Sequence, residues 1–80
     1  MMGCLLDISL RASVDDGDKL YKFMRRHQSF LAKAVNVAET DENNRKTLRI
    51  FVPWTENQVS RYIKSRLDRD GSVFRAKLIS

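Results

Sequence analysis

"RKTLRIFVPWTENQV", residues 45–59, holds the reading that decides the fold. Leu48, Ile50 and Val52 fall on one side of its first half, and Thr47, Arg49 and Phe51 on the other. Successive side chains of an extended chain point to opposite faces, so this alternation predicts a strand with one buried face. Pro53 has no amide hydrogen to continue a ladder and ends the strand. Thr55 then stands as a helix N-cap, and Gln58, three residues on, completes a capping box. Trp54 and Val59 flank the cap as the two halves of a hydrophobic staple. Val59, Tyr62, Ile63 and Leu67 continue as one apolar stripe, which predicts a helix over about 55–69. Asp70-Gly71 stops it, with Gly71 expected to supply the C-cap geometry.

Working outward, Phe74, Ala76 and Leu78 alternate with Val73, Arg75, Lys77 and Ile79, a closing strand with the first set inward. Upstream, "TDENNRK" (40–46) reads as a hairpin loop, because Asn43 and Asn44 tolerate left-handed backbone angles. "FLAKAVNVAE" (30–39) reads as a strand with Leu31, Val35 and Val37 inward and Ala32, Ala34 and Asn36 outward. A helix running on through Ala34 is the competing reading. Leu20, Phe23, Met24 and His27 share one face of a helix over about 16–28. Before it, Leu6, Ile8, Leu10, Ala12 and Val14 alternate with Asp7, Ser9, Arg11 and Ser13, a strand that "VDDGD" (14–18) ends. Asp15 or Asp16 is placed to cap the helix that follows.

The order is strand, helix, strand, strand, helix, strand, in one domain spanning 1–80. With right-handed crossovers it predicts an α+β, ferredoxin-like βαββαβ sandwich. Its four antiparallel strands take the order 4-1-3-2, and both helices lie on one face.

Such a fold leaves the other sheet face uncovered. The outward sets then bring Arg11, Arg49, Phe51, Arg75 and Lys77 onto one surface. Cations there meet phosphates and a ring stacks on a base, which is what single-stranded nucleic acid requires. Lys19, Lys22, Arg26, Arg61 and Lys64 form a second basic patch on the helices. The net charge of +5 supports both surfaces, and most of the excess lies in residues 41–80, with nine Lys/Arg against five Asp/Glu. Element order and length resemble those of RNA-recognition-motif proteins, which stack bases on central-strand aromatics. "RKTLRIFV" shares the basic start and one Phe of their third-strand signature, and departs from it in having no glycine and no second ring.

Catalytic motifs are absent from the sequence. There is no phosphate-binding loop, no nucleophile elbow and no Cys-x-x-Cys pair. His27 is the sole histidine and reads as a packed side chain. The lone Cys4 excludes an internal disulfide and a multi-cysteine zinc cluster. No apolar run approaches the roughly 20 residues that span a bilayer. The expectation is a non-enzymatic, cytoplasmic interaction module, an adaptor or inhibitor, needing no metal or other cofactor. Its basic surfaces dock on a protein or nucleoprotein partner, with direct single-stranded RNA or DNA binding as the alternative. An Ala-rich second-strand edge leaves room for pairing with a second copy.

Overall fold

The strand read from residues 47–52 is central, and it begins two residues earlier than expected, because the loop read over 40–46 closes to Asn43–Asn44 alone. In the computed structural model, which describes residues 2–11 and 16–80, β3 (Arg45–Val52) lies between β2 (Val35–Glu42) and β1 (Cys4–Leu10). β4 (Val73–Leu78) pairs with the far side of β1. All three pairings are antiparallel, and the order β2-β3-β1-β4 is the expected ladder read from its other edge. The helical elements are α1 (Asp16–Arg26), a single turn α2 (Gln28–Leu31), and α3 (Glu56–Tyr62), which runs on into a π-helical turn over Ile63–Leu67. The molecule is thus an α+β four-stranded antiparallel sheet with three helices.

One sheet face supplies the core. Cys4, Leu6, Ile8 and Leu10 from β1 and Leu48, Ile50 and Val52 from β3 form one buried cluster with Phe23, Phe30, Val59, Ile63 and Leu67 from the helical elements. Fully burying a side chain such as Phe23 or Leu6 contributes about 1.5–3 kcal/mol. The residues between them in β1 and β3 face the other way, and that second face is built almost wholly by the strands.

Local chemistry explains the element boundaries. The hydroxyl of Thr55 accepts from the Gln58 amide at 3.1 Å, and the Gln58 side chain accepts from the Thr55 amide at 2.8 Å, closing the capping box. Asn43 and Asn44 both have positive φ, 54° and 63°, giving the mirror-image turn that matches the twist of the hairpin it joins. No described glycine has positive φ, so Gly71 does not cap its helix in the expected left-handed way. The end is made instead by the π-helical turn, in which the Asp68 amide donates to the Ile63 carbonyl at 2.7 Å.

The stretch 30–39 differs from the expected strand. Its beginning is helical because that turn carries Phe30 into the core, with its ring stacked 4.0 Å from that of Tyr62. β2 then starts at Val35 in the opposite phase. Val35 pairs with Phe51 and Asn36 with Ile50, so Val35 takes the open face and Asn36 the helical one. A bulge at Val37 shifts the phase again, so that Ala38 pairs with Arg49. Val35 and Val37 are therefore exposed, not inward.

β4 carries a second correction. Ser9 pairs with Arg75, whereas Leu10 pairs with Val73, leaving Phe74 as the extra residue of a bulge. Val73 is buried in the core and Phe74, expected inward, is 41% exposed. The expected continuation of β1 through Ala12, Ser13 and Val14, and the cap at Asp15 or Asp16, lie outside the described residues and side chains.

Candidate docking surface

The strand register lays out the open face in rows. Ala38, Arg49, Asp7 and Lys77 make one row across the four strands. Thr40, Thr47, Ser9 and Arg75 make the next. Val35, Phe51 and Leu5 lie at one end, and Arg45 and Phe74 at the other. Arg49, Phe51, Arg75 and Lys77 therefore share a face. Arg11 follows directly after β1, is exposed, and is tied by its amide to the Ser72 carbonyl at 2.9 Å.

Two members of that set are already occupied. Arg49 grips Asp7 with a fork of hydrogen bonds, Nε to Oδ1 at 2.8 Å and Nη2 to Oδ2 at 3.0 Å. The Arg49 guanidinium holds the Asp7 carboxyl below its usual range against the opposing effect of burial, and Lys77 lowers it further. Phe51 is half-buried, because the backbone of Gly3 crosses its ring so closely that a Cβ at residue 3 would overlap it. It packs at the edge of the surface more than it offers a stacking platform.

The exposed aromatic at the other end of this face is Phe74, 41% exposed and placed there by the β4 bulge. The Arg45 guanidinium lies 3.7 Å from its ring centroid and that of Arg75 lies 5.8 Å away, both within cation–π range. Phe74, Arg45 and Arg75 line an open depression of about 260 Å³ together with Ser9, Asn43 and Thr47. Its wall is held by a 2.9 Å hydrogen bond between the Ser9 and Thr47 hydroxyls. Arg45 Nε is buried and has no hydrogen-bond partner among the described residues. Sequence reasoning missed Phe74, since nothing in the residue types of "SVFRAKL" marks a bulge, and Arg45, since the expected hairpin loop includes it, whereas it opens β3.

The helix patch is differently built. Lys22 pairs with Asp18 at 3.0 Å, and Lys19 donates to the Arg11 carbonyl. Arg26 is a structural residue: its Nε and Nη2 each reach an Asp70 carboxylate oxygen at 3.0 Å, and Nη2 also reaches the Ser72 hydroxyl at 2.6 Å. Arg61 and Lys64 remain exposed on the second helical segment.

Beneath Arg26 lies a buried polar network that sequence reasoning did not anticipate. His27, 3% exposed, has Nε2 at 2.6 Å from Asp70 Oδ2 and Nδ1 at 2.6 Å from the Tyr62 hydroxyl. The Ser72 amide and hydroxyl complete the partners of Asp70, at 2.9 and 2.7 Å. Burial pushes the Asp70 carboxyl up, but Arg26, His27 and Ser72 together outweigh it and hold the group far below the usual carboxylate range. Burial likewise pushes the Tyr62 phenol up. This arrangement pins the end of α1 to the turn before β4.

Among the described residues no three His, Cys, Asp or Glu side chains converge as a metal site, and no helix is long and apolar enough to cross a membrane. Cys4 is a buried thiol that donates to the Trp54 carbonyl at 3.3 Å. Compared with protein-family models, curated proteins and solved structures, the chain matches none of them.

Proposed function

We propose that this chain is a non-enzymatic interaction module, an adaptor or inhibitor, that docks through the open sheet face on an anionic macromolecular partner such as a nucleoprotein complex. One observation carries the reading. On this face Asp7 is taken up by the Arg49 fork, while Arg75 and Lys77 form no salt bridge among the described side chains. The surface is left with a cationic excess around one exposed ring. Proteins use such a surface to steer an oppositely charged partner into register.

We read the arrangement as ferredoxin-like, on the strength of its strand order and of helices whose buried residues all join one core cluster. The unpaired Cys4 thiol suits a reducing, cytoplasmic setting. A second copy, joined along the β2 edge, is the competing occupant of the molecule's surface, and light scattering distinguishes it.

The test is binding to labelled polyanions (heparin, an acidic peptide and nucleic acid) at two salt concentrations. Reversing charge at Arg75 and Lys77 together should weaken binding at least tenfold at low salt, and reversal at Lys22 and Lys64 should not. Absence of binding to every polyanion at low salt, or indifference to reversal at Arg75 and Lys77, would sink the proposal.

A further inference from the structure

We infer that the depression around Phe74 is a nucleotide subsite, and that the partner chemistry it fits is single-stranded nucleic acid. The inference rests on the open face being the docking surface and adds the identity of what docks.

Three features converge there. The first is a ring that the fold turns outward. In an unbulged β4 the side chain at 74 would alternate into the core, yet Val73 fills that position and Phe74 stands 41% exposed. An exposed ring is a platform for a base, whose flat face stacks on any aromatic regardless of sequence. The second is the cation that already sits on it. Arg45 lies 3.7 Å from the ring centroid, so its guanidinium is held in place before any ligand arrives. A base on the remaining ring surface would extend an ordered stack. The third is the set of polar groups around the ring. The depression presents the guanidinium groups of Arg45 and Arg75, the Asn43 amide and the hydroxyls of Ser9 and Thr47. A phosphate oxygen and a base edge are the acceptors that such donors recognise.

An acidic protein would satisfy the cations but would need an apolar side chain set beside its carboxylates to cover the ring. A duplex hides its base faces inside its stack and could reach only the phosphate-binding groups. Single strands offer both a phosphate every nucleotide and an uncovered base, matching a site of about 260 Å³ that places Phe74 beside two arginines.

The experiment is fluorescence anisotropy with labelled 12-nucleotide single-stranded DNA and RNA, an abasic strand of equal charge, a duplex, and heparin. Phe74→Leu should weaken binding to both base-bearing strands by about tenfold or more. It should leave the abasic strand and heparin unchanged, and Phe74→Trp should restore affinity. Arg45→Gln should also reduce the slope of log affinity against log salt by about 0.7, the value for one phosphate contact on a single strand. Circular dichroism and a thermal melt of each variant separate lost binding from lost folding. Equal affinity of wild type for normal and abasic strands, tighter binding of duplex, or an unchanged affinity in Phe74→Leu would overturn the subsite while leaving the cationic docking face intact. Failure to bind any polyanion would remove both.

Discussion

His27 and Asp70, 43 residues apart in the chain, meet in the interior with Nε2 and Oδ2 at 2.6 Å. Asp70 is a carboxylate with 6% side-chain exposure, and it is supported from α1, from its own turn and from Ser72. Removing its charge leaves the buried His27 ring without its carboxylate partner and releases Arg26, whose side chain is 44% exposed. Asp70→Asn should therefore lower the unfolding free energy at pH 7 by roughly 3 kcal/mol, read by urea denaturation.

The same carboxylate sets an acid limit. Its folded value is depressed, so it contributes fully above the unfolded carboxylate range, and the contribution fades as pH falls below about 4. Urea midpoints measured from pH 6 to pH 2 should fall more steeply for the wild type than for Asp70→Asn. Parallel curves would show that Asp70 is not the group responsible.

On the open face, Asp7→Asn frees Arg49 from its fork. Binding to a polyanion at low salt should strengthen several-fold, mainly through faster association. Weaker binding would mean that the Asp7–Arg49 pair is itself part of the recognised shape.

The hairpin turn offers a stabilising change. Asn44 holds a φ of 63°, a region that glycine enters without steric penalty. Asn44→Gly should leave the fold intact and raise stability by about 0.5 kcal/mol, whereas Asn44→Val should lower it by more than 1 kcal/mol. Thermal melts suffice to rank the three.

Gly3 and Phe51 should show coupling. Gly3→Val drives a side chain into the Phe51 ring and should destabilise by about 1–3 kcal/mol. In the background of Phe51→Ala the same change should cost much less. A double-mutant cycle that closes without an interaction energy would contradict the contact.

The run from β3 into α3 was legible because each of its signals is local. Alternation, a proline, a cap residue and its partner three positions on all act within a few residues. The turn residues Asn43 and Asn44 were legible for the same reason, although the pairing of Thr40–Glu42 with Arg45–Thr47 was not. Both bulges escaped, since Val37 and Ala38, like Val73 and Phe74, are apolar in either phase and the shift appears only against a partner strand. Phe30 reads equally well as strand or helix until Tyr62 is there to stack on it. The shared face of Arg49, Phe51, Arg75 and Lys77 follows from alternation alone. That Asp7 neutralises one of them and Gly3 covers another depends on pairings about 40 residues or more apart in sequence.

Because the bulge turns Phe74 to the solvent, its size is released from the demands of the interior. Replacing a core ring leaves a void or a clash, whereas replacing this one gives up its stacking with Arg45 and Arg75 and changes what a visiting molecule meets. Drift among flat side chains at position 74 can therefore retune recognition at little cost to folding.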